Sequence, residues 1–572
     1  MRGHRLLSFV NPFGLLCIFV VVLVTSSSSN AAFPRPTIAG KGMVVSAHPK
    51  ATSVGLRILK QGGNASDAAI ATAFAIGVTE PYSAGIGGGG FLLHYNAKEK
   101  KTSSLDFRER APLAASRDMY LNKKGQAVAE RSTDGYMSIA VPGTVAGLFE
   151  LHQKRGSLPW KTLLAPAIDL AQNGFVVDDL WEEMFDGRKE LLTRFPATRA
   201  VFTHQGRPYR AGELLLQRDL AVTLQKIARQ PRSFYEGDIA QKIVRDVQEH
   251  GGLLTLDDLK AYQPTWRAPL CGLYRGFTVC SMPPPSSGGV HLLQMLTLLE
   301  QEPMRKRGFH HVDSLHALIE NMRSAYADRA EHLGDPAFHK VPTRGLLDDK
   351  YLSERRKNWS FEKARRSKRV LPGQPNSHES QDTSHLTVVD KDRNAVTLTF
   401  TVNYDFGSGV VAAGTGILLN DEMDDFSASP GVPNKYGLVG GKANAVAPAK
   451  IPLSSMSPTL VHKNGQLVMA LGAPGGSTII TTVLQVILNV VDHEMNAGAA
   501  ISAPRLHHQW IPDVVRLEKF GFDPATKAAL MKRGFSLMER EGWGNGNLIL
   551  VRDDGRLEGA PDPRGVGVAA GH

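Results

Sequence analysis

Two alternating runs just past residue 380 constrain this chain more than any other feature. Ser384 to Val389 and Ala395 to Asn403 flank a polar turn, Asp390-Lys-Asp-Arg-Asn394. In the second run Val396, Leu398, Phe400 and Val402 fall on one face of a strand, and Thr397, Thr399, Thr401 and Asn403 on the other. Directly opposed residues of a hairpin share a face, so Leu386 pairs with Leu398 and Val388 with Val396. That register sets His385 opposite Thr399 and Thr383 opposite Thr401. Thr383 is therefore expected to start a buried strand, on its polar face.

The residues before it differ in character. Glu354 to Ser380 holds Arg355-Arg-Lys, Lys363-Ala-Arg-Arg-Ser-Lys-Arg369 and Pro372-Gly-Gln-Pro-Asn-Ser-His, with little apolar content, and reads as a linker. A threonine hydroxyl is a poor nucleophile without an adjacent base. A chain cut before Thr383 creates one in its own α-amine, which titrates near ~7.7–8.0 and is partly neutral at neutral pH. The other reading of the same residue is an ordinary threonine at a strand start.

The N-terminus reads as a targeting segment. Arg2, His4 and Arg5 precede the apolar run Phe13 to Val24, and small residues follow to Ala31 and Ala32. The run is short of the ~20 residues that span a bilayer, so a secretion signal over residues 1–31, cleaved after Ala31, is expected in preference to an anchor. The exported chain is expected in the periplasm or the extracellular space. Its loss lowers the formal charge from +11 to +9, since Arg2 and Arg5 leave with no acidic residue. Of three cysteines, Cys271 and Cys280 remain, too few for a disulfide scaffold or a multi-cysteine zinc array. A two-residue turn at Arg275-Gly276 sets Cys271 opposite Cys280, so the pair is either a cross-strand disulfide or two unrelated buried thiols.

Elsewhere, Ala51 to Leu59 and an Ala-rich segment capped by Asn64-Ala-Ser-Asp67 and running to Val78 read as helices, the second buried all round. Phe91 to Tyr95 and Ser103 to Phe107 read as a hairpin. Helical periods dominate from Thr144 to Lys363, and strands return after the linker, with one long helix at Thr478 to Asn489. Gly85, Gly87 and Gly90 satisfy G-x-G-x-x-G, but a helix precedes them and a strand follows, the reverse of a dinucleotide site. His310-His311 and His507-His508 are sequence neighbours that face opposite ways in a strand, so neither pair alone makes a metal site. The 363–369 cluster lacks interleaved aromatics and reads as a solvated segment, not a nucleic-acid surface.

At these residues the chain resembles the γ-glutamyltransferases, members of the N-terminal nucleophile hydrolase superfamily. The resemblance is carried by Asp382-Thr-Ser-His-Leu386, Thr401-Val-Asn403, Gly416 to Ser427, Pro452-Leu-Ser-Ser-Met-Ser-Pro458, Gly472-Ala-Pro-Gly-Gly-Ser477 and Asp562-Pro-Arg564. Upstream it includes His48 to Pro81, Gly85 to Phe91, Asp106-Phe-Arg-Glu109, Val141-Pro-Gly143 and Met282-Pro-Pro-Pro-Ser-Ser-Gly-Gly289. It implies an α+β fold, a four-layer αββα sandwich. The precursor would cut itself when Thr383 attacks the carbonyl of Asp382, giving a large subunit, 32–382, and a small catalytic one, 383–572, that remain one heterodimer.

The resemblance also assigns roles. Arg108 is similar to the clamp for the substrate's α-carboxylate, where a guanidinium binds in bidentate fashion. Asp425 and Glu422 resemble the acceptors of the α-ammonium, Ser454 and Ser455 further carboxylate and glutamyl contacts, and Asn403 a polar contact in the pocket. Thr401 resembles the threonine that bonds the nucleophile. Gly475 and Gly476 resemble the oxyanion hole, and Tyr436 the aromatic of a lid loop. Glu422 stands where many bacterial members carry glutamine. The expected activity is transfer of the γ-glutamyl group of glutathione and related amides, through an ester on Thr383, to amino acids, dipeptides or water. No metal or organic cofactor and no nucleic acid is implied. The rivals are a cephalosporin-type acylase, a poly-γ-glutamate-cleaving relative, and an uncleaved, inactive binding homologue.

Overall fold

The computed structural model describes residues 33–357, 359–375, 385–429 and 431–572. The expected signal segment, Asp382 and Thr383 lie outside the described residues.

Two seven-stranded sheets organise the chain. One runs in the order Val568–Gly571, Met43–Ser46, Leu386–Val389, Ala395–Thr401, Gly89–Asn96, Lys101–Phe107, Thr265–Arg267. The other runs Thr37–Ala39, Leu557–Pro561, Asn547–Val551, Gln466–Gly472, Thr459–Lys463, Phe277–Ser281, Leu270–Tyr274. Three apolar clusters define the layers. Leu386, Val388, Val396 and Leu398 pack with helices Pro49–Lys60, Ala65–Thr79 and Trp160–Asn173. Val461, Met469 and Leu471 pack with Gly288–Leu299, Val312–His332 and Ile479–Val491. Between the sheets Val45, Phe91 and Leu93 meet Leu460, Ala470 and Ile549. This is the αββα arrangement.

The hairpin keeps the expected register, with Leu386 opposite Leu398 and Val388 opposite Val396. Its alternation does not divide core from solvent, because both faces are buried. The apolar face meets helices and the threonine face meets the second sheet, where Thr397 Oγ1 donates to the carbonyl of Leu471 at 3.1 Å. The ladder begins at Leu386, so His385 has no partner strand position. Its ring turns instead to Thr397 Oγ1, 2.8 Å from Nδ1.

Local signals hold elsewhere. Asn64 and Asp67 form a reciprocal capping box at 3.0 Å in each direction, and the helix they start, Ala65–Thr79, is buried almost throughout. Asn64 Nδ2 also donates to the carbonyl of Arg155 at 2.7 Å, which ties the cap to the end of the helix Thr144–Arg155. Arg275 and Gly276 both take positive φ, 49° and 78°, as a two-residue hairpin turn requires, and Cys271 is disulfide-bonded to Cys280. Unrelated thiols are thereby excluded.

One expectation fails. The basic stretch before residue 376 is not a free linker: Lys363, Arg366, Lys368 and Arg369 are exposed as expected, but the backbone between them is docked through Arg365 and Ser367. Arg365 Nε lies 2.5 Å from Glu320 Oε2, the backbone N–H of Ser367 donates to Asp513 at 2.8 Å, and Trp510 Nε1 donates to the carbonyl of Ser367 at 2.9 Å. The carboxylates that hold it come from remote elements, so nothing local announces them.

The Gly85-to-Gly90 turn, which led nowhere as a nucleotide motif, is a point of close backbone approach. A Cβ on Gly88 would lie 1.8 Å from the carbonyl oxygen of Thr401, and one on Gly87 2.0 Å from that of Leu418, whereas one on Gly85 meets nothing within 4 Å. Gly88→Ala is thus expected to lose about 3 kcal/mol or more, seen as little soluble protein and a depressed thermal midpoint. Gly85→Ala should behave like the parent, and equal yields and midpoints for the two variants would show that the facing strand gives way.

Candidate active site

A cavity of about 400 Å³ opens where Thr401 ends its strand, and Arg108, Asn403, Glu422, Asp425, Tyr436, Ser454, Ser455, Gly475 and Gly476 all line it. Every expected site residue among the described ones is therefore brought together. His385, two positions beyond Thr383, lines the same wall.

Arg108 follows the strand Lys101–Phe107 and is 1% exposed. Its Nη1 lies 2.5 Å from Glu422 Oε1, its Nη2 2.6 Å from Asp425 Oδ2, and its Nε donates to the carbonyl of Pro452 at 3.2 Å. The surface ion pair that its neighbours allow is not what forms. Asp106 pairs with Arg267 at 2.8 Å, and Glu109 stands 4.0 Å from the guanidinium. Glu422 and Asp425 share one turn, Glu422–Asp425, which is a buried structure and not a solvated acidic loop. Asn420 sets it in place. Its amide donates to the carbonyls of Gly87 (2.8 Å) and Ala140 (2.9 Å), while its oxygen accepts from the N–H of Ala140 and of Glu422, each at 3.0 Å.

Burial pushes the carboxyls of Glu422 and Asp425 upward, while Arg108 holds both down. Glu109 is driven well above the usual carboxyl range, first by burial and then by the charge of Glu422. The charge of Arg329 also draws the carboxyl of Asp425 down.

Asn403 takes φ 79° and donates from Nδ2 to the carbonyl of Asp421, just before the Glu422–Asp425 turn, at 3.0 Å. Its backbone N–H donates to Thr401 Oγ1 at 2.8 Å, and Thr401 Oγ1 donates to the carbonyl of Ser83 at 3.4 Å. Gly475 and Gly476 have φ 127° and 54° and precede the helix Ile479–Val491, whose N-terminal end favours negative charge. Tyr436 donates from its hydroxyl to the carbonyl of Asn403 at 3.0 Å, and its ring lies 4.4 Å from that of Tyr404.

The loop Met282 to Gly289, part of the resemblance but without a role, moulds the serine pair. Ser287 Oγ donates to the carbonyl of Ser454 at 2.8 Å, and the N–H of Ser454 donates to the carbonyl of Pro285 at 3.1 Å. Arg329, from the helix Val312–His332, donates to Ser287 Oγ at 2.9 Å and to Ser455 Oγ at 3.2 Å. Sequence reasoning missed Arg329 because nothing around it distinguishes it from other helix arginines. Glu109 is adjacent to Arg108 in sequence, but nothing local announces that it is buried with Glu422 at the same guanidinium.

Replacing Arg108 with Met removes the guanidinium that Glu109, Glu422 and Asp425 share and leaves only the more remote charge of Arg329, felt at Asp425, so about 3–5 kcal/mol of stability is expected to go. Without the guanidinium the folded-state carboxyl pKa values rise further, so the variant's stability falls more steeply as pH rises and the deficit is larger at pH ~8 than at pH ~5. Chemical denaturation at the two pH values measures it, and equal midpoints for parent and variant would mean the cluster is solvated.

The family model described as Gamma-glutamyltranspeptidase matches residues 51–572. The glutathione hydrolase proenzyme of Escherichia coli (strain K12) is 46% identical over 534 residues, covering 93% of this chain and 92% of that protein. Among solved structures, cephalosporin acylase from Bacillus halodurans superposes with a TM-score of 0.85 at 31% identity, covering 96% of this chain and 99% of its own. The γ-glutamyltranspeptidase of Helicobacter pylori gives 0.56 at 38% identity, with 57% of this chain and 94% of the solved one covered. The sandwich is thus that of the N-terminal nucleophile hydrolases, and the chain belongs to the γ-glutamyltranspeptidase family.

Proposed function

We propose that this chain is the precursor of a γ-glutamyltransferase and glutathione hydrolase that cuts itself before Thr383 and then uses that residue as its nucleophile. The observation that carries the reading is one cavity lined both by Arg108, Glu422 and Asp425 and by Gly475 and Gly476. The first group suits an α-amino acid, with guanidinium for its carboxylate and carboxylates for its ammonium. The second offers backbone N–H groups to a carbonyl that is becoming an oxyanion.

In the proposed reaction the neutral α-amine of Thr383 takes the hydroxyl proton as Oγ attacks the γ-carbonyl of glutathione. The tetrahedral oxyanion rests against Gly475 and Gly476. Its collapse breaks the C–N bond, the α-ammonium returns the proton to the departing amine, and a γ-glutamyl ester remains on Oγ. Water, an amino acid or a dipeptide then attacks the ester, losing a proton to the α-amine; the second intermediate collapses with cleavage of the C–Oγ bond, and the α-ammonium returns that proton to Oγ, restoring the free threonine. Transfer differs from hydrolysis only in which nucleophile enters.

Processing into subunits 32–382 and 383–572, held together as a heterodimer, is part of the same proposal. The relatives' description as proenzymes supports it, as does a solved Helicobacter pylori chain that is 94% covered yet corresponds to only 57% of this one. Export through residues 1–31, to the periplasm or beyond the cell, completes it. On this reading Thr383→Ala yields a folded single band on a denaturing gel and no turnover of γ-glutamyl-p-nitroanilide. Normal processing in that variant would sink the assignment.

The likeness to cephalosporin acylase favours a second reading, an acylase that takes glutaryl amides. Glutaryl-p-nitroanilide lacks only the α-ammonium that Glu422 and Asp425 would meet. A loss of one or two fewer contacts to a buried charge costs about 2–3 kcal/mol, so kcat/KM for the γ-glutamyl compound should be higher by about 30-fold or more. Equal or reversed preference would select the acylase.

A further inference from the structure

Tyr436 lies in the segment from Ser427 to Ala445, and Gly475-Gly476 in the turn before the helix Ile479–Val491. One side chain stands behind both. Gln509 is 4% exposed. Its amide nitrogen donates to the carbonyls of Tyr436 at 3.2 Å and Gly437 at 3.0 Å. Its amide oxygen accepts from Ser477 Oγ at 2.9 Å and from His507 Nε2 at 2.9 Å. Two donor sites and two acceptor sites are all the amide has, and all are used. The carbonyls on one side and the hydroxyl on the other fix which way round it lies.

His507 completes the arrangement. Burial keeps its ring neutral, with the pKa pushed down to about 3, so it carries one ring proton. Its Nδ1 lies 2.9 Å from Thr481 Oγ1, in the first turn of the helix Ile479–Val491, a hydroxyl that also reaches the carbonyl of Thr478 at 3.0 Å. The loops also touch in front, since a Cβ on Gly476 would lie 2.5 Å from the ring of Tyr436. The aromatic therefore rests on one of the paired glycines, while the same two segments share a bracket behind.

We propose that Gln509 is a positioning residue that ties the loop carrying Tyr436 to the turn carrying Gly475 and Gly476, so that cover over the substrate and alignment of the oxyanion-binding N–H groups are set together. The roles of the two loops rest on the γ-glutamyl reading, whereas the bracket itself rests on the contacts alone.

Two substitutions test it. Gln509→Glu turns a carboxylate oxygen toward two carbonyls, and Gln509→Met keeps the volume but removes all four bonds. Lys435 is exposed in the same loop and offers trypsin a bond next to Tyr436. Both variants are expected to be nicked after Lys435 about tenfold faster than the parent while melting within about 3 °C of it. With γ-glutamyl-p-nitroanilide, KM should rise and kcat should fall, each by about fivefold or more, because a cover alone would change KM and an oxyanion site alone kcat. Nicking within about twofold of the parent overturns the bracket, and faster nicking with unchanged kcat overturns its tie to the glycines. If the charged variant fails to fold, the Met variant decides. A parent that turns over no γ-glutamyl donor defeats the functional reading, and the nicking comparison still decides the bracket.

Discussion

The backbone contact between the Gly87–Gly90 turn and the strand ending at Thr401 is the one on which the site depends. Gly88 accepts at its carbonyl from the N–H of Gly143 and Thr144, at 2.8 and 3.0 Å, which places the start of the helix Thr144–Arg155. Gly87 accepts from Asn420, which in turn holds the turn bearing Glu422 and Asp425. Thr401 and Asn403 stand on the other side of the same approach. A side chain on Gly87 or Gly88 would push the charged pole of the cavity away from the strand Ala395–Thr401.

Around Arg108 the balance is unusual, because three buried carboxyls, those of Glu109, Glu422 and Asp425, gather at one guanidinium, with the charge of Arg329 also felt at Asp425. Such a cluster is costly to assemble, and breaking it by removing the cation costs more than the pair contributes. The upward push on Glu109 and Glu422 is the form that cost takes. On the proposed reading the donor brings its ammonium to these carboxylates and its α-carboxylate to the guanidinium, so binding exchanges ion pairs within the cluster and adds no net charge to it.

The sequence carried the hairpin register without help, because an alternating strand beside a second one leaves a single way to match faces. It carried the capping box at Asn64 and the turn at Arg275-Gly276 for similarly local reasons. Alternation did not reveal that the threonine face is covered, since a strand between two layers has no solvent side. The docking of Arg365 and Ser367 was hidden because Glu320 and Asp513 are remote in sequence. The site residues came from resemblance to a family, and the residues behind them did not come at all. Arg329 and Gln509 act through other side chains, and no local pattern marks a residue whose neighbours are set by the tertiary fold.

Both sheets contain strands from before and after residue 383: Met43–Ser46 lies beside Leu386–Val389, and Phe277–Ser281 beside Thr459–Lys463. A chain with this topology folds as a unimolecular process while it is continuous. Once cut, its unfolding separates two polypeptides, neither of which owns a complete sheet. Reassembly then depends on concentration and must rebuild both sheets at once. The processed molecule would persist through the height of its unfolding barrier, not through an equilibrium it can revisit.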